Sequence, residues 1–239
     1  MTHKRRFYIP LSFVKDSIVT IKGEEAHHAV KVLRVKENEF VTLINGRGES
    51  VLGTIVKITK DELDIYISGT LVVFEEPRLK VSLLIGMAEI AVLEESLLHS
   101  TELGLWRFCP VQTKFSVTNW KTIENKLERF QRIAISAIKQ SGFPFLPQIT
   151  IFKDLKYALS NLSSKGFLLS QEGDTHLSDF ADLKGEITLA VGPEGDFSDE
   201  EKLLFSQFGY RKTKLSMNTL RVETAALTAM AQIQNHFEF

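Results

Sequence analysis

Cysteine occurs once in the 239 residues, as Cys109 in the apolar "RFCPV". An intramolecular disulfide is therefore excluded, and the lone thiol fits a reducing compartment. Long hydrophobic runs are also missing. No stretch is long enough to span a bilayer, and the basic N-terminus "MTHKRRFYIP" has no apolar core of a secretory signal. The chain reads as cytoplasmic, without a membrane partner. Neither sign of charge dominates: 29 Lys and Arg face 30 Asp and Glu, for a net charge of −1, which by itself argues against nucleic acid. The phosphate-cradling patterns G-x-x-x-x-G-K-[ST] and G-x-G-x-x-G are both absent. So are internal repeats and low-complexity linkers.

What is present belongs to a globular protein: 44% hydrophobic and 25% charged residues, in a length that suits one large domain or two small ones. The charge is unevenly spread. Residues 1–72 hold 11 Lys/Arg and 9 Asp/Glu (+2), residues 114–139 hold 6 and 2 (+4), and residues 171–201 hold 1 and 10 (−9). A polyanion would approach the first two segments and avoid the third. Ordinary solvated faces explain the same numbers, and charge alone leaves both readings open.

Residues 7–73 read as short strands, "SIVTI" (17–21), "FVTLI" (40–44), "SVLGTIVKI" (50–58) and "LDIYI" (63–67), with a short helix at "EEAHHAVKVLRV" (24–35). This predicts a small β-barrel ending near "FEEPR" (74–78). Beyond Pro77, apolar runs at 79–85, 107–111, 148–152, 166–170, 186–191 and 213–216 are interleaved with helical stretches at 88–103 and 122–140, ended by Gly104 and Gly142. That alternation predicts an α/β unit with a mostly parallel sheet covered on both faces.

One stretch in this second part is unusual. "LAVGPEGDFSDEEKLLF" (189–205) sets a glycine turn between a strand and a helix that opens on the capping box "SDEE". Turns at the carboxyl end of parallel strands are where ligands bind. This one carries Glu194 and Asp196 with no lysine inside it. A cationic ligand without phosphate, such as S-adenosylmethionine, fits it; so does a plain turn with a helix cap. A second loop, "MNTLR" (217–221), follows a short strand and precedes an Ala-rich helix with Glu223 in its first turn. If the two strands are neighbours, the two loops form one pocket. Arg221 is either free in that pocket or paired with Glu223 or Glu194.

At "GPEGDFSDEE" (192–201) and "LSMNTLRVETAAL" (215–227) the chain resembles the SPOUT methyltransferases, and more narrowly the RsmE family, which methylates N3 of a uridine in small-subunit ribosomal RNA. "RRFYIP" (5–10), "HHAVKVLR" (27–34), "INGRGE" (44–49), "HSTELGLWRFCPVQT" (99–113) and "RFQRIAISAIKQSG" (129–142) agree in order. The resemblance implies a PUA-like RNA-binding β-barrel over 1–73 and a SPOUT α/β domain over 74–239 whose C-terminus forms a trefoil knot. It implies a homodimer with shared active sites, acting on ribosomal RNA or the small ribosomal subunit. S-adenosylmethionine would be held by Gly192, Pro193, Glu194 and Gly195, by Leu215, Ser216, Met217, Asn218, Thr219 and Leu220, and by Leu169 and Ser170 as a third wall. Arg6, His28, Arg34, Arg47, Lys114 and Arg132 would meet RNA. No metal is expected: adjacent helical residues such as His27 and His28 point about 100° apart, and no other ligand cluster is visible. The chain departs from the family where Lys139, Phe143 and Phe115 replace an acid and two arginines, and each lost arginine weakens a possible phosphate contact.

The implied chemistry is an in-line displacement on a uridine N3 that must lose its proton. A fixed guanidinium suits the charge growing on the uracil oxygens, and Arg221 is the candidate. Water, Glu223 or a partner-chain group would take the proton. A fold-retaining RNA binder without catalysis and an adenine-binding enzyme of other chemistry remain alternatives. The Ala-rich face of 223–237, with Phe237 and Phe239, is expected to be left over for a dimer.

Overall fold

A computed structural model describes residues 5–180 and 183–234. The chain divides into two compact units, one of residues 1–76 with 138–145, the other of 77–137 with 146–239. In the first, β1 (Arg6–Tyr8), β2 (Ile18–Lys22), α1 (Gly23–Lys31), β3 (Phe40–Ile44), β4 (Glu49–Ile58), β5 (Glu62–Ile67) and β6 (Val72–Val73) follow in order. The strands line up β1-β3-β4-β5-β2, with β6 on β4. Among the described residues the two end strands do not pair, so the expected barrel is a half-barrel sheet. The alternation that builds it is plain in β5, where Leu63, Ile65 and Ile67 are fully buried and the residues between them are not. They pack with Phe7, Val41, Leu43 and Ile55 and with Ala26 and Ala29 of α1. Each such large side chain contributes ~1.5–3 kcal/mol over its exposed state. β1 was not legible in advance. Its three residues pair parallel to β3, with Phe7 opposite Leu43.

The second unit contains β7 (Leu79–Gly86), α2 (Ile90–Glu102), β8 (Arg107–Val111), α3 (Trp120–Glu124), α4 (Leu127–Ser141), β9 (Gln148–Ile149), α5 (Leu155–Asn161), β10 (Gly166–Leu169), β11 (Thr175–His176), β12 (Gly185–Val191), α6 (Asp199–Gln207), β13 (Arg211–Lys214) and α7 (Val222–Gln234). The end of α4 groups with the first unit. The sheet runs β11-β13-β10-β12-β7-β8-β9, and every pairing in it is parallel. Both faces are covered, which is why its central strands are apolar throughout. In β7, Leu83 and Ile85 join Leu93, Leu97, Ala226 and Met230 from α2 and α7. Leu84, on the opposite face, joins Leu155 and Phe205 from α5 and α6.

Two expectations are corrected here, and a third point left open is settled. The helix expected over 122–140 is two helices. Asn119 accepts from the Thr122 amide at 3.1 Å to start α3, which ends at Asn125 before α4 begins. The last strand lies over 211–214 rather than 213–216, because its polar residues pair through backbone with β10. β12 and β13 are not neighbours, since β10 stands between them.

Candidate cofactor and active site

The carboxyl ends of β10, β12 and β13 open into a cavity of about 630 Å³. Its position is set by the order in which the chain visits the sheet. From β10 the chain returns to place β12 beside β7, then crosses to β13 on the far side of β10, so three strand ends release loops at one place.

The first wall is the glycine turn. β12 pairs with β7 up to Val191 opposite Ile85. One residue further, Gly86 leaves the space that Pro193 fills: a Cβ on Gly86 would lie 2.3 Å from Pro193 Cδ and 2.6 Å from its backbone nitrogen. The turn then closes on itself. The Asp196 amide donates to the Pro193 carbonyl at 2.8 Å, and Asp196 adopts the left-handed φ of 61°. Gly192, Pro193 and Glu194 line the cavity, whereas Gly195 does not. Gly195 lies instead against Phe115, whose Cβ would be 2.9 Å from a side chain there. The expected capping box is present, with Ser198 and Glu201 bonding reciprocally at the start of α6.

The two acids of this turn are held in different ways. Glu194 Oε1 accepts the Glu89 amide at 3.2 Å, at the N-cap of α2, where a carboxylate suits the helix dipole. Asp196 Oδ2 pairs with Lys202 Nζ at 2.8 Å. Lys202 itself lines the cavity, and its ammonium is held above the usual lysine range chiefly by the hydrogen bond it donates to Asp196. Asp196 is therefore paired within the chain, whereas Glu194 has only a backbone amide as its partner among the described residues and keeps its negative charge beside the cavity.

The second wall is the exit of β10. Leu169 and Ser170 line the cavity, together with Gln171 and Glu172, which sequence reasoning passed over. Gln171 Nε2 donates to the Asn218 carbonyl at 2.6 Å and so ties this wall to the third. The third is the polar loop after β13, where Leu215, Thr219, Leu220 and Arg221 face the cavity. Ser216 and Met217 do not: the Ser216 hydroxyl accepts the Asn218 amide at 3.1 Å, and Met217 is 85% exposed. Glu223, in the first turn of α7, lines the cavity, while Val92 and Glu89 enter from α2. Lys202 directly follows the 192–201 motif, whereas Glu89 and Val92 belong to a distant stretch of sequence and no local signal joins them to it.

Arg221 is exposed, and among the described residues its guanidinium has neither an ion pair nor a hydrogen bond. Pairing with Glu223 or Glu194 does not occur. Cys109 is fully buried, which pushes its thiol up to about 12, so it supplies no thiolate at neutral pH.

The residues expected at RNA have varied surroundings. His28 and Arg34 are exposed at and just after the end of α1, and Arg47 is exposed between β3 and β4. Arg6 instead donates to the Lys139 and Gln140 carbonyls at 3.0 and 2.9 Å. Lys114 pairs with Glu200 at 3.3 Å, and Arg132 is exposed on α4. Of the substituted positions, Lys139 pairs with Glu25 at 2.5 Å and Phe143 packs edge-on to Phe145. No group of three or more candidate metal ligands occurs among the described residues, and no helix among them is long and apolar enough to cross a membrane.

Residues 75–234 match the family model of the RNA methyltransferase domain, and residues 21–67 that of the RNA methyltransferase PUA domain. The ribosomal RNA small subunit methyltransferase E of Helicobacter pylori (strain ATCC 700392 / 26695) is 31% identical over 234 residues, covering 96% of this chain and all of that one. The protein of the same name from Rickettsia conorii is 29% identical over 96% of this chain and 94% of its own length. Among solved structures, a ribosomal RNA small subunit methyltransferase E from Neisseria gonorrhoeae bound to S-adenosyl methionine superposes with a TM-score of 0.89 at 28% identity, covering 98% of both chains. A Legionella pneumophila protein described as a putative methyltransferase, in complex with the same cofactor, gives 0.91 at 25% identity over 99% of both. A half-barrel unit and a parallel α/β unit with a cavity at its strand ends thus define an RNA methyltransferase carrying a PUA domain. The chain belongs to the ribosomal RNA small subunit methyltransferase E family.

Proposed function

We propose that this chain transfers a methyl group from S-adenosylmethionine to N3 of an unpaired uridine in small-subunit ribosomal RNA. One observation carries the reading: both signature loops line a single cavity in a fold that matches cofactor-bound relatives at full length. The cavity fits the cofactor. Its volume is in the range of small-molecule sites, with Leu169, Val191, Leu215 and Leu220 as apolar walls for an adenine. Backbone groups at 192–194 and 219–221 read the polar edges without a phosphate-sized cluster of cations.

When bound, S-adenosylmethionine supplies an electrophilic methyl on a sulfonium. The chain's own part is to hold uridine N3 in line and to exclude the paired state of the base. Arg221, with no partner of its own among the described residues, is free to bond the uracil oxygens as charge grows on them. Glu223, half-buried in the same cavity lining, is proposed to take the N3 proton. His28, Arg34, Arg47, Lys114 and Arg132 are proposed to meet RNA phosphates, while Arg6 holds the end of α4.

Three finer features complete the reading. The trefoil knot is supported by β13 lying outside β10 while its loop returns to the cavity of β12. A homodimer follows from the family resemblance. The free apolar face expected on α7 supports it less than the sequence implied. Val222, Ala226, Ala229, Met230 and Ile233 are buried within the chain, Leu227 is 37% exposed, and Phe237 and Phe239 lie outside the described residues. A cytoplasmic location goes with the ribosomal substrate.

Three measurements test this. S-adenosylhomocysteine at a hundred times its Kd should stabilise the protein by ~2.7 kcal/mol, read as a raised Tm, whereas ATP should not. Labelled cofactor with small ribosomal subunits should place the label on one uridine N3. Binding without label transfer favours a non-catalytic RNA binder; stabilisation by ATP alone defeats the reading. Sedimentation at micromolar concentration should give twice the chain mass of 27.1 kDa, and a monomer there removes the shared active site.

A further inference from the structure

The ion pair between Asp196 and Lys202 stands at the edge of the cavity and has no part in the proposed chemistry. Asp196 is one of four non-glycine residues with positive φ among those described. An L side chain in that region costs energy, which aspartate bears better than most but not freely. The conformation is nonetheless demanded by the turn. With the chain folded back, Asp196 Cα would be 2.9 Å and Asp196 Oδ1 2.8 Å from a Cβ on Gly192, so the turn packs on its own first residue. The two carboxylate oxygens are divided. Oδ1 lies over Gly192, and Oδ2 meets Lys202 Nζ at 2.8 Å. Lys202 is fixed in turn by its helix, its amide donating to the Ser198 carbonyl at 2.8 Å in the first turn of α6. Its side chain is only 17% exposed, and Glu172 and Asp199 add to the negative charge around it.

We propose that Lys202 is a positioning residue that clamps Asp196 in its left-handed conformation and so holds the Gly192–Asp196 turn in the shape that accepts the cofactor. This rests on the reading of the cavity as the S-adenosylmethionine site. Lys202 acts through Asp196, with no contact to the cofactor required. Its removal leaves an aspartate that has lost its partner in a conformation it pays to keep, so the turn opens part of the time. A glycine at 196 adopts the same φ without steric cost and needs no clamp.

The test is a double-mutant cycle read by S-adenosylhomocysteine calorimetry and by hydrogen exchange of the Asp196 amide in the ligand-free protein. Lys202→Met should weaken S-adenosylhomocysteine about five- to tenfold, within the range set by loss of such a partly exposed pair and release of a strained residue. The same variant should speed exchange of the Asp196 amide. Lys202→Arg should stay within about twofold of wild type, since the charge is kept. Asp196→Gly alone, and Lys202→Met on top of Asp196→Gly, should both bind within about twofold of wild type, because the clamp is no longer needed. Unchanged affinity and exchange in Lys202→Met overturn the proposal. So does a double variant as weak as Lys202→Met alone, which makes Lys202 a direct ligand contact. If wild type binds no S-adenosylhomocysteine, the cofactor reading fails. The exchange of residue 196 in Lys202→Met then still decides for or against the clamp.

Discussion

Arg221→Ala is expected to lower the single-turnover rate of methyl transfer about a hundred- to a thousand-fold, equivalent to the ~2.7–4 kcal/mol that removal of one charge-stabilising donor costs. S-adenosylhomocysteine affinity should change no more than a few-fold, because the interaction belongs to the transition state. The structure supports this division. A guanidinium that held the loop in shape would be engaged with Glu223 or Glu194, yet among the described residues Arg221 is exposed and without a side-chain partner, and Glu194 bonds the Glu89 amide. What holds the loop is backbone and amide bonding, with Gln171 Nε2 on the Asn218 carbonyl at 2.6 Å and Gln232 Nε2 on the Leu215 carbonyl at 3.2 Å. Arg221→Lys should recover little, since an ammonium cannot span a planar oxygen–nitrogen edge. A large loss of affinity and of Tm, with an unchanged single-turnover rate at saturating cofactor, assigns Arg221 to structure instead.

The site was legible where local chemistry decides. The "SDEE" capping box follows from residue type and spacing alone, as do the ends of α2 and α4 at Gly104 and Gly142, both with positive φ. The continuous apolar run of β7 predicts a strand buried on both faces, and it is one. Partners far apart in sequence were not legible. Nothing in "GPEGD" says that Glu194 reaches the amide of Glu89, 105 residues away. Lys202 was overlooked because it lies six positions beyond Asp196, and only the capped first turn of α6 brings the two together. The polar "RKTK" of β13 lacks a strand pattern, since a single residue in it, Thr213, is fully buried. The strand order that places β10 between the two motif loops is likewise a property of the whole sheet. The glycine turn was thus singled out from its own residues, but the pairing of Asp196 with Lys202 was not legible in it, and Glu194 keeps its charge against a backbone amide.

Gly86→Ala should abolish that arrangement from behind. The added methyl would meet Pro193 Cδ at 2.3 Å and the Pro193 nitrogen at 2.6 Å. A flexible side chain could swing away, but a prolyl ring and a backbone atom cannot. Relief requires the end of β12 to move from β7, to which it is paired in register as far as Val191. Overpacking of this kind costs about 1–3 kcal/mol, or a fall in Tm of about 2–4 °C per kcal/mol in a chain of this size. The cavity suffers more than the fold, because the displaced residues are the ones that line it: Pro193 directly, with Gly192 and Glu194 on either side. S-adenosylhomocysteine should bind at least about tenfold more weakly, a loss of ~1.4 kcal/mol or more. Gly185→Ala is the comparison, at the opposite end of the same strand. A Cβ there meets nothing within 4 Å, although φ is 78°. It should lower Tm through left-handed strain of about 1–2 kcal/mol while leaving affinity intact. Equal affinity in the two variants would mean that the contact of Pro193 with β7 does not shape the cofactor turn. Selective loss in Gly86→Ala locates the determinant of that turn in the strand beside it, outside the motif by which it is recognised.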